Sequence, residues 1–235
     1  MSAFSKHFSD TNQKLSREAI AKFDETLESE FMTIMDFLHI EPEFAASLRG
    51  KGQPSFPSPA YIEKCAQKFV EGRKLPILQW SDKTSDPLLS IALKTFLELD
   101  NSEIEAAIEI HKKLMIIENK IGEILESYIS MKSASSGWVW CSGSIVRTVD
   151  FIRKSGDGTY EILQIKNKDV SENSTSVKGR GKIPMWKRLK GKKAKSNWAS
   201  YPDNSLEELM SEKDFINFAK KKLLEIKKAQ EDSET

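Results

Sequence analysis

The chain has 235 residues, of which 39% are hydrophobic and 30% charged, a composition that predicts a folded globular protein with an ordinary core. Its formal net charge of +1 excludes a uniformly basic or acidic protein, so the distribution of charge carries more information than the sum. Two distant cysteines, three scattered histidines and no signal-like apolar stretch predict a reduced, cytoplasmic protein without a zinc cluster or membrane span.

The first hundred residues are predicted to be helical. Apolar residues recur every three or four positions over about 16–40, which predicts one long amphipathic helix that ends before Pro42. A loop rich in Gly and Pro over 50–59 then leads to helices predicted over about 60–73 and 88–99. We therefore divide the chain into a helical N-terminal region, 1–100, and a second unit, 101–235, that carries the chemistry.

A long helix is predicted over about 103–131. Asp100, Asn101 or Ser102 can cap it, with Glu105 completing a Ser-x-x-Glu box behind Ser102. At 100° per residue one apolar stripe follows this helix, formed by Leu114, Ile121, Leu125, Tyr128 and Ile129.

Glu118 falls inside that stripe, and Glu126 lies at its edge. A buried carboxylate is costly unless it is paired or bound to a cation. Glu118 therefore either forms a salt bridge with a flanking Lys or Arg, or faces the polar cluster described next. Gly122, one turn after Glu118, would let the helix approach a strand or a phosphate closely.

The stretch 143–167 is predicted to be a hairpin of two β-rich strands around a polar bend at 155–158. Because side chains alternate along a strand, Gln164 and Lys166 share one face, and Leu163 and Ile165 share the other. Asp150, near the end of the neighbouring strand, completes a cluster with Gln164 and Lys166. An acid, an amide oxygen and an ammonium at one sheet end suit a hard cation with oxygen ligands, and this cluster is the predicted active site.

A basic segment follows the hairpin. Between Lys178 and Lys195 the chain has nine Lys or Arg residues and no acid, interleaved with Gly and Trp, a pattern typical of phosphate contact. The polar run 171–176 can contact sugar, phosphate or base edges. Alternatively, the segment is a solvated loop or a disordered arm. Two short helices are predicted over 205–230.

The helix acid, the Gly143-Ser144 strand that ends in Asp150, and the following Gln164-Ile165-Lys166 resemble the PD-(D/E)xK nuclease superfamily, in the form of a type II restriction endonuclease. The superfamily pattern covers about 110–170. More narrowly, the stretches 143–150, 164–167 and 171–174 together with Trp186 and Asn197-Trp198 resemble the SinI type, out to about 215. The resemblance implies an α+β fold, with a helical N-terminal half followed by a small mixed sheet of PD-(D/E)xK type flanked by helices.

The resemblance also implies a chemistry: Mg²⁺-dependent hydrolysis of double-stranded DNA at a short palindrome such as GGWCC. The implied metal ligands are Asp150, Gln164, the backbone carbonyl of Ile165 and Glu118, and Lys166 polarises the attacking water or the scissile phosphate. Gln164 stands where the family has its second carboxylate, so we expect weaker metal binding unless Glu118 compensates. The DNA-contacting segment is placed at 170–200, with contacts from Ser171, Asn173, Ser174, Lys178, Arg180, Lys182, Trp186, Lys187, Arg188 and Lys190.

Two other classes of function remain open from the residues alone. One is a non-catalytic nucleic-acid-binding protein that uses the basic segment, and the other is a helical interaction module whose hairpin is merely core. For the nuclease, a palindrome presents two equivalent phosphates, so a homodimer is expected, with the N-terminal helices in its interface or clamping the DNA. The alternative is a monomer that nicks each strand in turn. A cognate DNA methyltransferase would be its functional partner.

Overall fold

The computed structural model describes residues 4–48, 50–74, 77–80, 86–168 and 183–233. Six helices are present in these ranges: α1 (Asp10–Ala21), α2 (Glu28–Ile40), α3 (Pro59–Arg73), α4 (Pro87–Leu97), α5 (Asn101–Ser133) and α6 (Glu212–Ser233). Five strands are β1 (Trp138–Trp140), β2 (Phe151–Lys154), β3 (Tyr160–Lys168), β4 (Met185–Lys190) and β5 (Lys195–Ser196). They form one sheet in the order β1-β2-β3-β4-β5, in which only β3 and β4 are parallel. The predicted α+β class, with a helical N-terminal half and a small mixed sheet flanked by helices, is confirmed.

Capping residues set the ends of the helices. The single helix predicted over 16–40 is wrong, because the chain turns after Ala21 and the Asp24 carboxylate accepts a hydrogen bond from the Thr26 N–H (3.0 Å). That contact begins a 3-10 turn that leads into α2. Helix α5 is capped by Asp100, and its capping box is completed by Glu103, not by Ser102 and Glu105 as predicted.

The hairpin is shorter than predicted. Residues 143–150 do not form a strand: Ser142–Ser144 make a 3-10 turn in which Gly143 has a φ of 74°, and β2 begins only at Phe151. The sequence pattern also missed β1, which pairs antiparallel with β2. Near the C-terminus one helix, α6, replaces the two short helices predicted, and Asn204–Leu206 form a 3-10 turn. No described helix is both long and apolar enough to cross a membrane.

Each face of the sheet is covered by helices, because successive strand side chains point to opposite faces and apolar residues lie on both. On one face Val139 and Ile152 pack with the buried residues of α1, α2 and α3. On the other face Phe151, Leu163 and Ile165 pack against the C-terminal half of α5 and against α6. The N-terminal helices thus share a core with the sheet.

Helix α3 is fixed tightly against the 3-10 turn at Ser142–Ser144. A Cβ at Gly72 would collide with the backbone of Gly143, and one at Gly143 would collide with the carbonyl of Lys68. The Arg73 guanidinium donates to the Trp140 carbonyl (3.2 Å) and to the Ser142 hydroxyl. This contact positions the residues that lead into Asp150.

Candidate active site

Asp150 directly precedes β2 and is held by the backbone of β3. Its N–H donates to the carbonyl of Leu163 (3.0 Å), and its Oδ2 accepts from the N–H of Ile165 (2.6 Å). Burial raises the pKa of Asp150, while the Ile165 N–H and the Lys166 ammonium act in the opposite direction. The carboxylate is therefore largely desolvated and fixed in one orientation.

Lys166 and Ile165 approach Asp150 from β3. The ammonium of Lys166 lies close enough to both Asp150 and Glu126 for its charge to lower the pKa of each. The Gln164 N–H donates to the Pro184 carbonyl (2.9 Å) on the β4 side, whereas the Ile165 N–H turns to Asp150. Because the N–H and C=O of a strand residue point the same way, the Ile165 carbonyl is directed to the Asp150 side. The half-buried side chain of Gln164 shares a strand face with Lys166.

Glu126 on α5 is the helix acid of this cluster. Its carboxylate accepts a hydrogen bond from Trp140 Nε1 (2.8 Å) and lines the same cleft as Asp150. Burial raises the pKa of Glu126 to about 8, and the negative charges of Asp150 and Glu123 add to that rise. Sequence periodicity had placed Glu126 only at the edge of the apolar stripe. Its spacing of three from Glu123 was the signal that could have identified an acidic helix face.

Glu118, predicted to face the cluster, lies outside it, and the acid that α5 places beside Asp150 is Glu126. Glu118 is 55% exposed and pairs with Lys168 Nζ at 2.6 Å, which is the salt bridge considered as the alternative. It precedes Glu126 by eight residues, or about 12 Å along the helix axis. A Cβ at Gly122 would meet no neighbouring atom within 4 Å, so the predicted close approach of another element to α5 at this glycine is wrong.

The cluster opens into two joined clefts. The first, of about 510 Å³, is lined by Glu123, Glu126 and Asp150 and by the chain between Trp140 and Val149. The second, of about 890 Å³, shares Gly143, Ser144 and Arg147 with the first. Its other walls come from residues 46–48, from Gln53 and from α3, including Lys64 and Lys68. The N-terminal region, which carried no functional signature in sequence, therefore forms a wall beside the site.

Two residues predicted to contact DNA belong to the core instead. Trp186 is buried against Trp198 and Tyr201. Arg188 is buried over the Phe215 ring and bonds to Asn167 and Glu212. These contacts leave neither side chain a surface for DNA, because both point to the face that α6 covers.

Lys187 and Lys190 remain as DNA-contact candidates. Lys187 lies opposite Lys166 on the neighbouring strand, and Lys190 lies opposite Lys195. Like charges directly opposite one another are unfavourable in a sheet unless an anion lies between them. The other predicted contacts lie outside the described residues; they are Ser171, Asn173, Ser174, Lys178, Arg180 and Lys182.

The donor atoms suit a hard divalent cation. Within the described ranges no three His, Cys, Asp or Glu side chains converge to hold a metal. The cluster instead offers two carboxylates, Asp150 and Glu126, together with the amide of Gln164 and the carbonyl of Ile165, all of them oxygen donors. The repulsion that contributes to the raised pKa of Glu126 is what a cation between the two carboxylates would relieve.

Comparison with known proteins gives a consistent result. The model of the SinI restriction endonuclease family matches residues 12–225. The type II restriction enzyme SinI of Salmonella infantis is 31% identical over 225 residues, which cover 94% of this chain and 97% of that enzyme. The type II restriction enzyme Eco47I of Escherichia coli is 33% identical over 219 residues, 91% of this chain and 95% of that enzyme. The extent of these matches shows that the chain belongs to the SinI restriction endonuclease family.

Proposed function

We propose that the protein is a type II site-specific deoxyribonuclease that hydrolyses double-stranded DNA at a short palindrome with Mg²⁺. The observation that carries this proposal is the convergence of Asp150, Glu126 and Lys166 at one end of the sheet, beside an open cleft. Membership of a restriction endonuclease family supports it independently. Two unpaired, buried thiols, Cys65 and Cys141, fit a protein of the reducing cytoplasm.

The residues divide into cation ligands and a fixed positive charge. Asp150, Glu126, the Gln164 amide oxygen and the Ile165 carbonyl would hold the Mg²⁺ ion. When bound, Mg²⁺ lowers the pKa of a coordinated water and offsets charge that develops on the phosphate. Lys166 orients that water or binds a phosphate oxygen. The Ile165 N–H holds the Asp150 carboxylate in one orientation, in which it can bind the cation.

DNA would lie across the two joined clefts. Lys64, Lys68 and Arg147 line the larger cleft, and Lys187 and Lys190 lie on the β4 side of the site. We propose that these positive side chains contact DNA phosphates near the site. From the family resemblance we propose GGWCC as the recognition sequence. We also propose a homodimer on that palindrome, and a cognate methyltransferase that protects it.

A non-catalytic DNA-binding protein explains the site less well. Phosphate contact alone favours positive charge, whereas Asp150 and Glu126 place two acids in the same cleft. Asp150 and Glu126 also pay a desolvation cost that a binding surface does not require. Catalysis with a cation gives both acids a role.

A plasmid assay tests the proposal. Purified protein is incubated with supercoiled DNA that carries GGWCC sites, in Mg²⁺ and in EDTA. Discrete fragments with Mg²⁺ and none with EDTA are expected. A smear of products would indicate a nonspecific nuclease instead of a site-specific one. A mobility shift without cutting at any Mg²⁺ concentration would establish the DNA-binding alternative.

A further inference from the structure

The indole of Trp140 holds the carboxylate of Glu126 by a hydrogen bond. Trp140 Nε1 donates to Glu126 Oε2 (2.8 Å), and the tryptophan side chain is almost fully buried. The other oxygen, Oε1, receives no hydrogen bond from the residues that the structure describes, and the glutamate lines the cleft that also holds Asp150. The indole therefore fixes one oxygen of Glu126 and leaves the other available to a cation in the cleft.

An indole N–H suits this role because it can only donate a hydrogen bond and carries no charge. A Lys or Arg partner would also orient the carboxylate, but its positive charge would offset the negative charge that attracts a divalent cation. Trp140 orients Glu126 without that competition. Its bond also lowers the pKa of Glu126, against the larger opposing effects of burial and of the Asp150 charge.

The strand that carries Trp140 also contacts the other acid of the cluster. Trp140 pairs with Phe151 across β1 and β2, and the next N–H along the chain, that of Cys141, donates to the Asp150 carbonyl (2.8 Å). The end of β1 thus contacts Asp150 through a backbone bond and Glu126 through an indole side chain. The position of Glu126 relative to Asp150 therefore depends on β1 as well as on the packing of α5.

Arg73 of α3 secures the indole in turn. Its guanidinium lies 5.4 Å from the centre of the Trp140 ring and donates to the Trp140 carbonyl (3.2 Å). The same guanidinium bonds to Glu30 of α2 and lies 3.9 Å from the centre of the Phe69 ring. A planar cation with hydrogen bonds and stacked rings around it has little freedom to move. The N-terminal helices therefore help to fix the ring that holds Glu126.

We propose that Trp140 is a positioning residue for the cation site, whose indole N–H holds Glu126 beside Asp150 so that both carboxylates can bind one Mg²⁺ ion. The inference rests on the proposed function, which gives the two acids a cation to bind. Groups that orient a metal ligand without touching the ion typically contribute about 10–100-fold to metal affinity. Loss of the indole N–H should therefore weaken Mg²⁺ binding on that scale.

Trp138 provides a matched control on the same strand. Its Nε1 donates to Asp203 Oδ2 (2.9 Å), its side chain is buried, and Arg153 lies 4.6 Å from the centre of its ring, so its surroundings resemble those of Trp140. Neither Trp138 nor Asp203 lines either cleft. Trp138→Phe and Trp140→Phe each remove one indole N–H bond to a carboxylate. A general loss of stability should appear in both variants, whereas a loss of metal binding should appear in Trp140→Phe alone.

Calorimetric titration of the full-length protein with Mg²⁺ alone provides the test. The affinity of Trp140→Phe for Mg²⁺ should be about 10-fold or more below that of the wild type, and Trp138→Phe should keep the wild-type affinity. In a Glu126→Ala background, Trp140→Phe should add no further loss, because the ligand that the indole orients is already absent. A merely structural role would give additive losses.

Circular dichroism checks that each variant is folded. If Trp140→Phe does not fold, a tryptophan analogue with sulfur in place of the indole N–H, incorporated at position 140, removes the donor and keeps the shape of the ring. A wild-type affinity for Mg²⁺ in the variant that lacks the donor, an equal loss in Trp138→Phe, or a wild-type protein that binds no Mg²⁺ would overturn the inference.

Plasmid cleavage separates this inference from the proposed function. At limiting Mg²⁺, Trp140→Phe should cut about 10-fold more slowly than the wild type and should recover as Mg²⁺ is raised, whereas Trp138→Phe should keep the wild-type Mg²⁺ dependence. If Mg²⁺ affinity depends on Trp140 as expected but the wild-type protein cuts no DNA, the nuclease proposal fails and the inference stands. If the wild-type protein cuts DNA and Trp140→Phe has the wild-type affinity for Mg²⁺, the inference fails and the nuclease stands.

Discussion

Glu126 and Glu118 lie on one helix, and only one of them lies beside Asp150. We expect Glu126→Ala to reduce the cleavage rate on the order of 100-fold, the scale seen when a fixed charge-stabilising group is lost. Glu118→Ala should leave the rate nearly unchanged, because it breaks only an exposed ion pair with Lys168. Asp150→Ala serves as the inactive reference. Initial rates on plasmid DNA at saturating Mg²⁺ measure all three, and a larger loss from Glu118→Ala would return the helix-acid role to Glu118.

The raised pKa of Glu126 also predicts how the stability of the protein depends on pH. The glutamate titrates near 4.5 in the unfolded chain and at about 8 in the folded protein. Between these values the folded protein holds a proton that the unfolded chain has released, so metal-free stability falls as pH rises and levels off above about 8. Glu126→Gln removes this penalty. Its Tm should exceed that of the wild type by several °C at pH 9, where each kcal/mol is worth about 2–4 °C in a chain of this size, and the gain should vanish near pH 5.

Calorimetry in EDTA measures these Tm differences, with Glu118→Gln as the matched control on the same helix. The control should shift Tm little at either pH, since exposed ion pairs contribute at most about 1 kcal/mol. The stabilised Glu126→Gln variant should nevertheless cleave DNA on the order of 100-fold more slowly, because the proposed metal ligand has lost its negative charge. An equal Tm difference at pH 5 and pH 9 would show that Glu126 is not the group that titrates.

Among the elements, α3 sets the position of the turn that leads to Asp150. Gly72→Ala would drive a methyl group into the backbone of Gly143 and should cost about 1–3 kcal/mol through overpacking. Gly122→Ala on α5 meets open space and should instead stabilise the protein by about 0.5–1 kcal/mol. Urea denaturation of both variants checks the two signs. If Gly72→Ala also stabilises the protein, the close contact between α3 and this turn does not exist in solution.

The sequence predicted where several elements lie more accurately than it predicted which of their faces are buried. The period of apolar residues in α5 predicted a helix close to its observed bounds, since a 3.6-residue repeat is a local property. It could not tell that, apart from Ile104, the buried residues of α5 lie in its C-terminal half, because burial depends on which distant elements cover each turn. Glu118 was misplaced for that reason. Likewise, the β-branched run before Asp150 reads locally as a strand, but the docking of α3 on Gly143 imposes a turn there.

In the folded molecule, the N-terminal helices and the sheet, which are distant in sequence, pack against each other. Asp36 of α2 is fully buried and bonds to Lys154 (2.7 Å) and Tyr160 (2.7 Å) of the hairpin. The N-terminal helices share one apolar core with the sheet as well. The proximity of Asp150 and Lys166, by contrast, could be predicted from the sequence, because both residues lie on one hairpin whose ends meet locally. The contribution of α3 to the cleft wall could not be predicted from the sequence, because it depends on how distant elements pack.

Charge distribution across the molecule leads to a prediction about DNA affinity. Lys190 and Lys195 are exposed and directly opposed on β4 and β5, an arrangement that a phosphate between them would relieve. Because each neutralised phosphate contributes about 0.9 to the slope of log affinity against log salt, replacing both lysines by alanine should flatten that slope by up to about 1.8. Lys227 and Lys228 of α6 line neither cleft, so the corresponding double alanine variant should keep the wild-type slope. Fluorescence anisotropy with cognate DNA in EDTA, titrated at several salt concentrations, gives both slopes. An unchanged slope for the first variant, or a flattened one for the second, would place the DNA on a different surface from the β4–β5 edge.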